Sequence, residues 1–398
     1  LRRRGERLIR RLSGRDLRSA LRLSQADFLG LFRLDGRAPD WPALDAHFAR
    51  RAGRERLAFP ERISRAASRP RAELLRRADQ LCADTFEHGA QPPVRFEGGV
   101  DWGFDPTPDP RKRWARELHR HQWLPVLALA YEHTGNERYA EQFVALIDSW
   151  IEHNPPPPLM DEGHLSWNLM NAGMRCVTWP IALLRFYPAP AFRPEHKQRM
   201  LRSIHDHARF LYLFKTHDNH LLRESNGLAS IAGWLPEFAA APRWRDRALE
   251  RLATEVARQI NADGSHIEMS IAYQWLAMEE LEATLDLVER WGWAFPGGRL
   301  HQALERGYRM LAATRREDGQ WPQLNDGFFA AWDVHQARLE AAAARFGFAG
   351  ELPRLASTSA VFPDAGLAIM RDGQGNSLLF KAGPFGGLHG HDDKLGIE

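Results

Sequence analysis

Gly366-Leu367-Ala368-Ile369-Met370-Arg371-Asp372-Gly373-Gln374-Gly375-Asn376-Ser377-Leu378-Leu379-Phe380-Lys381-Ala382 marks a change of texture late in the chain. Two short apolar runs flank a segment of Asp, Gly and Asn, which is the pattern of a β-hairpin. The chain before it reads differently. From about Pro70 to Gly350, long segments carry apolar residues at helical spacing, as at Leu124, Leu127, Ala128 and Tyr131. Helices are expected over 71–85, 111–135, 137–153, 166–186, 194–216, 219–238, 244–259, 267–291, 300–315 and 331–346. Most are bounded by proline, glycine or an Asn/Asp cap, as at Asn154-Pro155 and Asp263-Gly264. Helices joined by short loops bury one another as hairpins, and a ring of such hairpins is a toroid whose inner helices are apolar nearly all round.

The expected organisation is therefore mainly α. Residues 1–70 form an arginine-rich helical and loop segment, 71–355 an (α/α) toroid, and 356–398 the beginning of a truncated β domain. Lys394-Leu395-Gly396-Ile397-Glu398 reads as a further strand starting as the chain stops.

Composition narrows the class. The 398 residues are 44% hydrophobic and 26% charged, as in an ordinary globular protein. No window approaches the run of about twenty apolar residues that a membrane span needs. Leu1-Arg2-Arg3-Arg4 begins without methionine and leads into no long apolar segment, as expected of a fragment or of a chain whose targeting segment has been removed. The two cysteines, Cys82 and Cys176, lie in apolar helical patterns and are expected to be buried thiols rather than a disulfide or metal set. The net charge is +3 and the pI about 9.0. Forty-nine of the 54 basic residues are arginine. Arginine binds carboxylates and sulfates bidentately, which fits an acidic polymer, although a GC-rich genome produces the same ratio. The basic residues are interspersed with acids, so nucleic acid is not the expected partner. Thirteen of the fourteen tryptophans fall within the helical region. Core filling accounts for most of them, and aromatics lining a cleft can stack on sugars.

Three clusters carry candidate chemistry. His217-Asp218-Asn219-His220 opens a helix, where free backbone N–H groups favour anions, and Glu224 follows one turn later. Asp263-Gly264-Ser265-His266-Ile267-Glu268 is a tight turn leading into a helix with Tyr273, Gln274 and Trp275. The tail Gly386-Gly387-Leu388-His389-Gly390-His391-Asp392-Asp393 places two imidazoles at i and i+2 behind a glycine run.

These clusters, in this order and with the helix-to-strand switch before the third, resemble the heparinase II/III-like polysaccharide lyases. The likeness covers roughly residues 95–398 and extends to Asp101-Trp102, residues 129–139 and Ser149-Trp150-Ile151. The resemblance implies an (α/α) toroid followed by an antiparallel β-sandwich, and β-elimination at a uronic acid of an acidic polysaccharide. It also implies roles. Asn219 or His220 would bind the sugar carboxylate with His389 assisting, and Tyr273 would be base, acid or both. His220 is the candidate base where proton and leaving group lie on opposite faces. Glu224, His266, Glu268 and Trp275 are candidate substrate contacts. His391 matches a ligand of a structural zinc whose other ligands would lie beyond Glu398. Two departures stand out: Gln274 where many relatives have histidine, expected to alter substrate contacts, and Arg223 where some carry an acid. The compartment implied is the periplasm or cell exterior, and nothing here fixes oligomeric state. Two other classes stay open. A toroid glycoside hydrolase would need paired carboxylates, for which Asp161, Glu162, Glu268 and Asp326 are candidates. A protein that binds acidic glycans without cutting them is the third.

Overall fold

The computed structural model describes residues 19–53, 59, 70–88, 92–157, 159–323, 325–326, 332–383 and 396–397. They fall in two compact units, Leu1–Ala248 and Leu249–Glu398.

The first unit opens with α1 (Gln25–Leu29) and α2 (Trp41–Ala52), each started by a side-chain cap. Ser24 accepts the N–H of Asp27 at 3.1 Å and Asp40 that of Ala43 at 2.9 Å, satisfying backbone donors the helix leaves over. Next, α3 (Arg71–Cys82) leads into a two-stranded antiparallel ladder of β1 (Thr85–Phe86) and β2 (Val94–Arg95). Then come α4 (Arg113–Leu118), α5 (Leu124–Thr134), α6 (Arg138–His153), α7 (Leu169–Phe186), α8 (Pro194–Leu213) and α9 (Asp218–Trp234). Helix α10 (Ala241–Gln259) crosses into the second unit. Punctuation is as the sequence predicts: Gly135 ends α5 at a left-handed φ of 64°, Asn154 caps α6, and proline opens α8.

One expected helix is two. Residues 119–123 break the 111–135 segment, with His121 at a left-handed φ of 55°. The break is held from outside: Trp150 Nε1 donates to His119 Nδ1, and Trp179 Nε1 to His121 Nδ1, both at 3.0 Å. Tertiary hydrogen bonds override local propensity here.

Helices α7 and α9 bury almost every residue, as inner helices should. They touch backbone to backbone. A Cβ on Gly173 would lie 2.9 Å from the Glu224 Cα, and one on Gly227 2.8 Å from the Gly173 Cα. Arg223 Nη1 reaches Met170 Sδ at 3.9 Å, three residues toward the start of α7. A helical side chain points back toward the start of its own helix, so α7 and α9 run in the same direction and start at the same end of the unit.

The second unit holds α11 (Ile271–Trp291), α12 (Leu300–Thr314), α13 (Trp332–Arg345) and the short α14 (Leu352–Ser357). A sheet follows in the order β3 (Ala360–Phe362), β4 (Leu367–Arg371), β5 (Ser377–Lys381) and β6 (Gly396–Ile397), all antiparallel. The expected hairpin is β4–β5, with Leu367 opposite Lys381 and Arg371 opposite Ser377. Asp372 closes its turn by accepting the N–H groups of Gln374 at 2.8 Å and Asn376 at 3.1 Å. Of the strand read at residues 394–398, Gly396–Ile397 form β6 and the other three residues lie outside the described residues.

Two further expectations are corrected. Cys176 is buried but Cys82 is only half-buried. The helix expected from residue 267 begins at Ile271, because the residues before it are held in a turn. Trp150, Trp167, Trp179 and Trp275 are fully buried, so their rings are packing elements.

Candidate active site

The start of α9 is built by the loop before it. Thr216 donates its N–H to Glu224 Oε2 at 3.0 Å and its hydroxyl to Glu224 Oε1. Glu224 is fully buried. Its carboxylate grips the loop that leads into the helix. Asp218 adopts a left-handed φ of 56°, a region costly for a residue with a side chain unless its surroundings hold it. His217 Nδ1 lies 2.6 Å from Asp218 Oδ2. Asn219, buried, and His220, exposed, then occupy the first turn. Backbone N–H groups and the helix dipole favour an anion there.

The start of α11 is held more elaborately. Gly264 turns the chain at φ 89°, where a Cβ would lie 3.2 Å from that of Arg306 and closer still to its backbone. The Asp263 carboxylate accepts from Ser265 N at 2.9 Å, Ser265 Oγ at 2.6 Å, Asp364 N at 2.8 Å and Ala365 N at 3.3 Å. Asp364 reciprocates by accepting the Asp263 N–H at 3.1 Å. The turn is thereby tied to the β3–β4 connection.

His266 is buried and its nitrogens are engaged. Nδ1 accepts the Glu268 N–H at 3.3 Å, so the proton sits on Nε2, which donates to Gln259 Oε1 at 2.9 Å. Gln259 in turn donates to Glu255 Oε2 at 2.6 Å. Gln274 is buried too. Its Oε1 accepts the His266 N–H at 2.6 Å and its Nε2 donates to the Gly264 carbonyl at 3.0 Å. Both ends of this amide hold the turn. Met269 takes a left-handed φ of 53°, and its carbonyl accepts from Asn325 Nδ2. Lys381 of β5, itself buried, donates to Asn325 Oδ1 at 2.5 Å. Ser270 Oγ donates to the Asp326 carbonyl at 3.2 Å.

On this platform Tyr273 sits half-buried in the first turn of α11. Glu268 is buried. Trp275 packs against Trp321 with ring centroids 5.2 Å apart and against His335 at 4.6 Å. His266 thus supports the turn and Trp275 the core. The first unit brings Asn219, His220 and Glu224 onto one helix; the second brings His266, Glu268, Tyr273 and Trp275 around another. His389 and His391 lie outside the described residues. Among the described residues no three His, Cys, Asp or Glu side chains form a metal site. The supporting residues Thr216, Gln259, Asn325, Asp364 and Lys381 gave no signal in the sequence, because their partners are fixed only by the tertiary fold.

Paired helices with inner members buried on all sides, followed by an antiparallel sheet, define a mainly α protein of the (α/α) toroid class with the start of a β domain. Residues 54–351 match the family model Heparinase II/III N-terminus, and the chain belongs to that family. A heparin-sulfate lyase of Pedobacter heparinus is 27% identical over 317 residues, covering 75% of this chain and 47% of that protein. One of Bacteroides thetaiotaomicron is 31% identical over 198 residues, covering 49% and 28%. Among solved structures, heparan sulfate lyase HepC from Pedobacter heparinus aligns with a TM-score of 0.70 at 24% identity, over 90% of this chain and 59% of that one. A heparinase III structure aligns with a TM-score of 0.74 at 21% identity, over 85% and 56%. The structural likeness shows the fold, as the motifs predicted. The chain spans less than half the length of these two sequence relatives.

Proposed function

We propose that this chain is the toroid-bearing part of a polysaccharide lyase that cuts a uronate-containing acidic polysaccharide, of the heparin-sulfate kind, by β-elimination. The observation that carries the reading is the pair of built helix starts. Asn219 and His220 open α9, Tyr273 opens α11, and each start is fixed by buried side-chain bonds within its own unit. Family membership and the names of the relatives support it.

The chemistry assigns work to each group. Asn219, at a positive helix end, neutralises the sugar carboxylate so that the C5 proton becomes acidic, with His389 assisting. Tyr273 or His220 takes that proton. As the double bond forms between C4 and C5, the C4–O bond breaks and its electron pair leaves with the glycosidic oxygen, which Tyr273 protonates. Zinc, attached to His391 by resemblance alone, enters no step. The polymer places the protein in the periplasm or outside the cell. No described helix is long and apolar enough to cross a membrane.

The test is a panel of acidic polysaccharides incubated with the full-length protein, following ultraviolet absorbance and reducing ends together. Both should rise on a uronate polymer. New ends without absorbance would mean hydrolysis, and neither would mean binding without cleavage.

A further inference from the structure

The first unit contains a cleft of about 600 Å³ that shares no residue with the α9 start. Its size lies in the range of small-molecule sites, about 300–1,000 Å³. Asp101, Trp102, His119, His153, His164 and Ser166 are among its lining residues. His164 and Ser166 precede α7, and α7 starts at the same end of the unit as α9. The His164–Ser166 side of the cleft therefore stands at the end of the unit that carries Asn219 and His220.

Its polar groups form a mixed set. His164 Nδ1 accepts the Trp167 N–H at 3.1 Å, so Nε2 carries the proton and points a donor elsewhere. His153 Nδ1 lies 2.8 Å from the Ser149 carbonyl, so it must donate there, leaving Nε2 as an acceptor. Asp101 uses Oδ1 to accept the Gly103 N–H at 2.9 Å and keeps Oδ2. One donor and two acceptors around an open cleft suit the hydroxyls of a sugar.

Beneath the floor lies a charge without a counter-ion. Arg175 is fully buried, its Nη1 donating to the His119 carbonyl at 2.7 Å and its Nε to His207 Nε2 at 2.9 Å. Its guanidinium lies 4.3 Å from the Trp150 ring centre and 5.6 Å from that of Trp167. Nη2 is buried without a hydrogen-bond partner, and no carboxylate pairs with Arg175 among the described residues. A buried cation left unpaired is costly. Its field reaches the cleft. Burial, then the Arg175 charge, lowers the pKa of His119 to about 3; for His164 burial lowers it, Asp161 opposes and Arg175 adds to the lowering. At His119 that potential favours a negative group, whereas at His164 the Asp161 charge outweighs it.

We propose that this cleft is a further glycan subsite, taking an acidic sugar unit of the polymer away from the bond that is cut. Its hydroxyls meet Asp101, His153 and His164, and its carboxylate or sulfate lies over the Arg175 charge. The inference rests on the lyase reading for the identity of the polymer, but its test reads binding and not turnover. Full-length Tyr273→Phe protein is titrated calorimetrically with acidic oligosaccharides of two and six sugar units, sulfated and unsulfated, and with inorganic sulfate.

The longer oligosaccharide should bind more tightly, and His164→Ala or Asp101→Ala should remove about five- to tenfold of that gain. Asp101 is exposed, so its variant reports even if His164→Ala fails to fold. Loss with the unsulfated oligosaccharide assigns the carboxylate, and loss confined to the sulfated one assigns the sulfate. Unchanged length dependence in both variants overturns the subsite. Inorganic sulfate binding as tightly as the oligosaccharides, an adventitious ion only, overturns it too. If no polymer is cleaved but the variants still lose the length-dependent gain, the subsite stands and the lyase reading falls.

Discussion

The side-chain amide of Gln274 accepts the backbone N–H of His266 at 2.6 Å, and its other end donates to the Gly264 carbonyl at 3.0 Å. One buried side chain thus joins the turn at Asp263-Gly264 to the helix that presents Tyr273. Only a group that donates and accepts at once fits both bonds.

Gln274→Glu tests this. An ionised carboxylate keeps the bond from His266 but faces the Gly264 carbonyl with no proton to give. The expected loss is about 1–3 kcal/mol of unfolding free energy at pH 7. It should shrink as pH falls and the new carboxyl is protonated. Urea unfolding of both proteins at pH 7 and pH 5 checks it, and an equal deficit at the two pH values would count against the donor role.

The contact between α7 and α9 leaves no room for a methyl group. Gly227→Ala places a Cβ 2.8 Å from the Gly173 Cα, backbone that cannot swing aside. Overpacking of this kind costs about 1–3 kcal/mol. A melting temperature unchanged within error would show that the helices part freely.

Acid should weaken the first unit early. Burial holds the pKa of His88 at about 4 and of His119 and His205 at about 3, below the usual 6.5. Below pH 6.5 the unfolded chain binds protons at these sites while the folded unit does not, so stability falls as pH falls. Each site contributes a slope of up to about 1.4 kcal/mol per pH unit until its folded pKa is reached. Asp206 opposes them, because burial raises its carboxyl to about 6 and the folded unit gains from protonating it. The histidines outnumber it. Urea midpoints at pH 7, 6 and 5 should decline steadily, and a flat series would contradict the burial of these rings as neutral groups.

Much of this was legible in the sequence for local reasons. The β4–β5 turn is encoded by Asp372, which bonds residues two and four positions on. Helix ends at Gly135 and Asn154 follow from glycine and asparagine at the expected places. What was not legible depends on distant partners. The break at residues 119–123 needs Trp150 and Trp179, and the clasp between Asp263 and Asp364 spans 101 residues. Strand β3 has three residues and exists through its pairing with β4. Glu224 reads in the sequence as a candidate substrate contact one turn past His220; only the fold shows that Thr216 donates to it. The Tyr273 motif was readable because its turn residues are contiguous, whereas its supports are not.

The central claim is that the phenol at the head of α11 moves the proton. Tyr273→Phe in the full-length protein, with folding verified by circular dichroism, should lose about 10²–10⁴-fold in the rate of new ultraviolet absorbance on a uronate polymer. It should do so with substrate binding retained. A folded Tyr273→Phe protein that releases unsaturated product at the parent rate would contradict the account.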